Sequence, residues 1–282
     1  QIMILVLFVA SLLLSFFVGS NLQTLYSSNG ILGHVEVIDV EKNGGSLRRL
    51  VVDGIIQTEI EMASGVATMP YLQKMDSIFN AESFHSKKAL LIGLGGGILA
   101  NNLVRAGYNV ESVELDGRIS EAATKYFSLS DEVKVVVNDG RKFINESKSV
   151  YDLIVLDVFH GEVQPSHVIS YESFKKVKEM LTDSGKLVLN WHGYTEGSLG
   201  KGTKILSNTL EYAGLTPELL FTGPNPDYRN TILLCDKNAS MNELVENELV
   251  NTDEKPIIET ANAQANLRWR INYHNYYRFR TQ

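Results

Sequence analysis

Residues 88–97, KALLIGLGGG, decide the fold of this chain. An apolar run ends in a cluster of glycines, and a helical pattern, ILANNLVR, begins directly afterwards at Ile98. A buried strand that turns into a helix through glycines is typical of a parallel α/β sheet that binds a ligand at that turn. Glycine lets the backbone approach a ligand closely, and the helix N-terminus offers free N–H groups and positive potential.

The alternation of strand and helix continues downstream of this turn. Predicted strands cover 87–95, 109–116, 133–139, 151–159 and 186–191, and predicted helices cover 97–107, 118–127, 141–147, 171–185 and 199–214. Apolar strands joined by helices indicate a parallel sheet covered on both faces. Two further strands, 217–223 and 229–236, predict a terminal hairpin. We therefore expect an α/β fold, a Rossmann-like (class I methyltransferase-type) parallel sheet with an antiparallel terminal strand.

The flanking segments differ in composition from this repeat. Short alternating strands with Gly44-Gly45 and Asp53-Gly54 turns predict a small β-rich N-terminal domain at 30–80. The Rossmann-like domain is then expected at 81–238 and a C-terminal tail at 239–282. The tail ends in the basic, aromatic stretch LRWRINYHNYYRFR, which fits a helix docked on its own domain, a partner contact or a membrane-surface element.

Residues 1–20 are hydrophobic and carry no charge. An 18-residue helix spans about 27 Å, enough for a thin bilayer core. The segment therefore predicts an N-terminal hydrophobic helix that anchors the protein in the inner (plasma) membrane, with a cytoplasmic catalytic domain. A signal peptide cleaved near Gly19 and a buried core helix are the alternatives.

Composition excludes several classes of function. The chain has 33 acidic and 26 Lys or Arg residues, for a net charge of −7, which argues against a nucleic-acid binder and is compatible with a cationic substrate. A single cysteine, Cys235, excludes a disulfide framework and a Cys-rich zinc site. The six histidines show no metal-binding spacing, so no metal is expected.

Acidic residues follow successive predicted strands. Glu114 lies 21 residues after Gly93, where a carboxylate accepts hydrogen bonds from ribose hydroxyls. Those two features also fit a dinucleotide. Asp139-Gly140 ends the third strand, where a short acidic side chain accepts the exocyclic amine of adenine. Together they favour an adenosyl ligand, although Asp139 alone also fits a helix N-cap and Glu114 a solvated strand end.

The fourth strand of the sheet ends at Asp157, in LDVFHGE. A partly desolvated carboxylate there would take a proton from an attacking amine or steer a cation. His160 and Glu162 follow on the same loop and are candidate substrate-binding residues. If the N-terminal domain caps the crevice, it would also bring in Asp53, Gln57, Glu59, Glu61 and Tyr71.

The chain resembles the spermidine synthase (polyamine aminopropyltransferase) family, and is most similar to its membrane-associated, "fused" subgroup. The resemblance covers roughly residues 34–260. It is carried by these stretches, in chain order: VVDGIIQTE, Tyr71, ALLIGLGGGILA, SVELD, VNDGRKFI, YDLIVLDVF, QPSHVISYESF and NTDEKPIIE.

The resemblance implies transfer of an aminopropyl group from decarboxylated S-adenosylmethionine to a small amine, with release of methylthioadenosine. It further implies a homodimer. Asp157 would be the catalytic base, and Tyr71 would line the site on the substrate side. The donor would be held by Gly93, Gly95, Gly97, Glu114, Asp139, Gly140 and Gln57.

Two positions depart from the family pattern. Gly96 stands where the soluble enzymes carry an aspartate that binds the aminopropyl ammonium. His160 stands where they carry a second aspartate for the amine acceptor. Both changes remove negative charge, so methyl transfer from S-adenosylmethionine is the first alternative. A non-catalytic, adenosyl-binding membrane protein is the second.

Overall fold

The strands that follow residue 87 form one seven-stranded sheet. The computed structural model describes residues 22–42, 44–82, 86–237 and 249–280. The strands of this sheet are β5 (Lys88–Ile92), β6 (Asn109–Glu114), β7 (Lys134–Val137), β8 (Tyr151–Leu156), β9 (Leu181–Trp191), β10 (Leu215–Phe221) and β11 (Thr231–Lys237). Their order in space is β10-β11-β9-β8-β5-β6-β7. Strands β5 to β9 are parallel, and β11 lies antiparallel between β9 and β10. The predicted antiparallel terminal strand is confirmed.

Helices cover both faces of this sheet. They are α1 (Pro70–Ala81), α2 (Ile98–Arg105), α3 (Gly117–Tyr126), α4 (Gly140–Glu146), α5 (Tyr171–Met180), α6 (Lys201–Tyr212) and α7 (Ile258–Arg280). Strand β5 shows why the sheet needs a layer of helices on each face, since all of its apolar side chains are buried. Leu91 packs into one hydrophobic cluster, whereas Leu90 and Ile92 pack into the cluster on the other face.

The N-terminal part is an antiparallel sheet of four strands in sequential order. The strands are β1 (Leu22–Gly30), β2 (Gly33–Lys42), β3 (Gly45–Val52) and β4 (Ile55–Glu61). Three of them were predicted, and β1 was missed. Strand β1 is an edge strand, LQTLYSSNG, whose side chains are mostly exposed, so it lacks the apolar alternation that marks a buried face.

Arg118, at the start of α3, ties the two sheets together. Its guanidinium pairs with Asp116 after β6 and donates to the carbonyl oxygens of Ser28 and Gly33 in the N-terminal sheet. The N-terminal sheet thereby lies over the carboxyl ends of the parallel strands. That is the edge at which open α/β sheets bind ligands.

The prediction of inner-membrane anchoring is wrong. Within the described ranges, no helix combines the length and the apolar character needed to span a bilayer. The predicted hydrophobic helix at 1–20 lies outside the described residues. The longest described helix, α7, contains the basic, aromatic stretch and packs on the protein body, as the first of the three interpretations of that stretch expects.

Candidate active site

A cavity of about 620 Å³ opens at the carboxyl ends of β5, β6, β7 and β8. The glycine turn after β5 (residues 93–97) forms the floor of the cavity. The N-terminal sheet contributes Val52, Asp53, Gln57 and Thr58 to its wall. The loop after β8 and the first turn of α7 complete the wall with Phe159, His160, Pro165, His167 and Glu259. Most of the predicted site residues therefore meet in one place.

The glycine turn brings the backbone of β5 close to that of β8. Gly93 has a φ of 93°, and an added Cβ would lie 2.1 Å from the carbonyl oxygen of Asp157. Gly95 also has a positive φ and lines the cavity. Gly97 does not line it, because it caps α2 with a φ of 81° and packs against Leu129. The glycines of this turn therefore allow close contact with the backbone after β8, and two of them, Gly93 and Gly95, also leave space for a ligand in the cavity.

Glu114 is buried at the end of β6 and holds the glycine turn. Its carboxylate accepts the backbone N–H groups of Leu94 and Asp116, each at 3.0 Å. Burial raises the pKa of Glu114, and these backbone hydrogen bonds oppose that rise. Carboxylate oxygens have further lone pairs, so Glu114 retains acceptor capacity toward the cavity.

Asp139 caps a helix and also faces the cavity. It caps α4 by accepting the N–H of Lys142 at 2.8 Å, and it also lines the cavity beside Gly140. Its second oxygen lies 3.7 Å from Nε2 of His167. Gly140 is needed for packing, since an added Cβ would lie 2.6 Å from Ile92. Whether Asp139 contacts adenine stays a prediction.

Asp157 lies in the middle of a hydrogen-bonded chain of side chains. Asn190, at the end of β9, donates to Oδ1 of Asp157 at 2.8 Å, and the hydroxyl of Tyr71 donates to Oδ2 at 3.4 Å. Asn230 donates in turn to Asn190 at 2.9 Å. Burial raises the pKa of Asp157 to about 6, although both donors pull it down. A carboxylate with such a pKa is poised to exchange a proton near neutral pH.

The N-terminal sheet and helix α1 supply some of the predicted site residues but not others. Asp53, Gln57 and Tyr71 line the cavity. Glu59 does not, because it forms a buried ion pair with Arg49 at 2.6 Å. Glu61 also lies away from the cavity and accepts the hydroxyl of Ser64.

The loop after β8 carries the remaining predicted residues. His160 is exposed and lines the cavity. Glu162 does not line it, and its carboxylate pairs instead with Arg270 of α7 at 3.1 Å. Glu162 therefore fixes the loop to the C-terminal helix.

An aromatic stack runs from the cavity wall into α7. His192 lies between Phe159 and Trp269, with ring centroids 4.3 Å from each, and Trp269 stacks on Tyr273 at 5.0 Å. Burial lowers the pKa of His192 to about 3, so the ring is neutral at physiological pH. The hydroxyl of Tyr273 accepts the backbone N–H of Ile56 at 2.6 Å, next to Gln57. The helix thus braces two walls of the cavity.

The charge of the cavity is strongly negative. Six carboxylates line it: Asp53, Glu114, Asp116, Asp139, Asp157 and Glu259. No lysine or arginine among the described residues does so. Asp116 is neutralised from behind by Arg118. Such a lining attracts a cation and repels phosphate, so it is unsuited to a dinucleotide.

Several residues at this site were not predicted, among them Asn190, Thr58, Trp269 and Glu259. Asn190 is a polar residue closing an apolar strand, and the strand-end argument used for Asp157 would have found it. Thr58 and Glu259 carry no such signal, because only the packing of β4 and α7 brings them to the cavity. Trp269 carries none either, and it supports the cavity wall through His192 and Phe159.

The fold and the site define a class I methyltransferase-type domain whose crevice suits a cationic ligand. Residues 65–196 match the model of the spermine/spermidine synthase domain. This match agrees with the resemblance to the spermidine synthase family seen in the motifs of the chain. The more specific assignment to a membrane-associated subgroup finds no support in these matches.

The chain is also similar to individual curated proteins and to solved structures. A polyamine aminopropyltransferase of Desulforudis audaxviator is 26% identical over 204 residues, 69% of this chain and 70% of the relative. An N-terminal histidine N-methyltransferase of Emericella nidulans is 28% identical over 156 residues, 53% of this chain and 28% of the relative. The spermidine synthase of Thermotoga maritima shares the fold, with a TM-score of 0.59, 16% identity and coverage of 86% of this chain and 88% of that one. Several curated relatives are matched over only 28% to 37% of their length.

Proposed function

We propose that this protein is an aminopropyltransferase. It moves the aminopropyl group of decarboxylated S-adenosylmethionine to an amine and releases methylthioadenosine. The observation that carries the proposal is Asp157, a partly buried carboxylate in a cavity that no described lysine or arginine lines. Both substrates are cations, and an amine must lose a proton before its nitrogen can attack. The match of residues 65–196 to the spermine/spermidine synthase domain supports the same reaction.

The chemistry follows from the positions of these groups. The amine nitrogen attacks the propyl carbon next to sulfur, the C–N bond forms and the C–S bond breaks. The electron pair of the C–S bond stays on sulfur, which becomes the neutral thioether of methylthioadenosine. Asp157 takes the proton released by the amine. Asn190 and Tyr71 orient the carboxylate, and the glycine turn with Glu114 holds the nucleoside, so that alignment of the reacting atoms supplies the rest of the rate.

The test is to identify the nucleoside product. The protein is incubated with decarboxylated or intact S-adenosylmethionine and a set of mono- and diamines, and products are identified by mass spectrometry. We expect methylthioadenosine only when both the decarboxylated donor and an amine are present. S-Adenosylhomocysteine from the intact donor would replace this proposal with methyl transfer. Tight binding of methylthioadenosine without turnover of any amine would indicate a protein that binds but does not catalyse.

Methyl transfer is the second candidate because of the packing at Gly96. Its N–H donates to the hydroxyl of Thr58 at 2.9 Å, and an added Cβ would lie 2.7 Å from Cγ2 of Thr58. Thr58 thus fills the space in which an aspartate would hold the aminopropyl ammonium. Intact S-adenosylmethionine carries a carboxylate that such an aspartate would repel. The relative from Emericella nidulans is named as an N-methyltransferase.

A substitution at this position tests the packing directly. We expect Gly96→Asp to lower the free energy of unfolding by about 1–3 kcal/mol, the usual cost of overpacking a closed site. Thr58→Ala in the same chain should recover part of the loss, because it removes the nearest atoms. The measurement is chemical unfolding followed by circular dichroism. Gly223→Asp is the control, since its nearest neighbour lies 4.0 Å away. A Gly96→Asp variant as stable as this control would show that Thr58 does not close the position.

A further inference from the structure

The loop after β8 lacks the carboxylate that the family pattern places there to bind the amine acceptor. His160 occupies that position, and Glu162 is engaged by Arg270. A diamine acceptor keeps a second ammonium after its reacting nitrogen has been deprotonated. That ammonium needs an anionic partner, because an unpaired charge in a partly closed cavity is costly.

The C-terminal helix places a carboxylate on the same cavity. Glu259 lies in the first turn of α7 and lines the cavity together with Asp157, His160 and Pro165. The N-terminal end of a helix favours a negative charge. No cationic side chain lies within ion-pair distance of Glu259 among the residues that the structure describes.

Glu259 is held in place through one oxygen only. Its Oε1 accepts the backbone N–H of Ser166 at 2.8 Å, and no described residue donates to Oε2. Asn251, on the segment that leads into α7, donates to the carbonyl oxygens of Ser166 and Ile169. The carboxylate is therefore fixed against the loop while one of its oxygens stays available.

The helix that carries Glu259 is itself anchored to the cavity walls. Trp269 stacks on His192, which stacks on Phe159. Arg270 pairs with Glu162, and Tyr273 accepts a hydrogen bond from Ile56. These contacts tie α7 to the loop after β8, to the end of β9 and to strand β4. A residue at the start of such a helix has a defined position relative to the reacting groups.

We propose that Glu259 determines acceptor specificity by binding the distal ammonium of a diamine whose other nitrogen is deprotonated at Asp157. This inference rests on the proposed function. It assigns the C-terminal segment a role in substrate selection that the loop after β8 does not provide here. The acceptor class is then a linear diamine rather than a monoamine.

Glu259→Gln separates this role from a purely structural one. The amide keeps an oxygen for the N–H of Ser166, so the loop contact survives, but the charge is lost. We expect the KM for 1,4-diaminobutane to rise about 10- to 100-fold, the usual effect of losing a hydrogen bond to a charged group. The kcat and the affinity for methylthioadenosine should stay within about twofold, since neither involves the distal ammonium. Glu254→Gln, an exposed glutamate on the segment before α7, is the matched control.

Each outcome is informative. An unchanged KM for the diamine would overturn the assignment of Glu259. Parallel losses in kcat, nucleoside affinity and melting temperature would overturn it as well, because they would show that Glu259 only supports the loop. If the wild-type protein turns over no amine with either donor, the proposed function fails first and this inference falls with it. Glu259→Lys should abolish the diamine reaction, whereas Glu254→Lys should not.

Discussion

Asp157→Asn is expected to reduce turnover by about 10²- to 10⁴-fold, the contribution typical of a general base. The amide preserves the shape of the side chain, its oxygen can still accept the hydrogen bond of Asn190, and its NH2 group can donate to the Tyr71 hydroxyl instead of accepting from it. It cannot accept a proton from the amine. Binding of methylthioadenosine should remain, because the nucleoside part of the cavity is built by other residues. The measurement is the initial rate of methylthioadenosine release, with Asp131→Asn on the surface as the control.

The pH dependence of the wild-type enzyme follows from the same group. Burial raises the pKa of Asp157 to about 6, so the carboxylate is mostly protonated below that pH and ionised above it. Activity should therefore rise as the pH increases through about 6. The free energy of unfolding should move the other way. A pKa raised in the folded state stabilises the protein below the unfolded value of 3.8, and this contribution is lost as the pH rises through about 6.

Because activity and stability are expected to change in opposite directions with pH, the stability of Asp157→Asn provides a check on the role of this carboxylate. At pH 7.5, Asp157→Asn should melt at the same temperature as the wild type or higher, since it removes a charge that is costly to bury. A variant that is both inactive and less stable would indicate a structural role for the carboxylate. Turnover equal to that of the wild type would remove Asp157 from the mechanism altogether.

Gly93→Ala is expected to have the second largest effect. The residue has a φ of 93°, and the new methyl group would lie 2.1 Å from the carbonyl oxygen of Asp157. The two nearest atoms belong to the backbone of Asp157, so no flexible side chain can move aside to relieve the contact. We expect a loss of about 2–5 kcal/mol in the free energy of unfolding, from positive-φ strain and overpacking together. Turnover should also fall, because relieving the contact moves the strand end that carries Asp157.

Gly65→Ala provides the matched control for this clash. Gly65 also has a positive φ, of 69°, but an added Cβ would have no neighbour within 4 Å. Its substitution therefore reports backbone strain alone, expected at about 1 kcal/mol. Thermal unfolding of both variants isolates the contribution of the contact with Asp157. Equal melting temperatures for the two would contradict the close approach of β5 and β8.

The main architecture was predictable because it depends on local patterns. The apolar strands β5 and β8, the glycines after β5 and the helices between them are each visible in a short window of sequence. The positions of Glu114, Asp139 and Asp157 followed from one geometric rule, that parallel strands end at the same edge. Strand β1 was missed for the opposite reason. It is stabilised by pairing with β2 rather than by a buried face of its own.

The sequence by itself determined the parallel sheet, its glycine turn and the row of carboxylates at the strand ends. These features arise from residues that are close together in the chain or related by a fixed repeat. Only the tertiary structure decided that Thr58 closes the space beside Gly96, that Asn190 and Tyr71 hold Asp157, and that α7 brings Glu259 to the cavity. Those contacts join segments separated by tens to more than 200 residues, as Ile56 and Tyr273 illustrate. No local pattern encodes them, because they depend on how whole elements pack against one another.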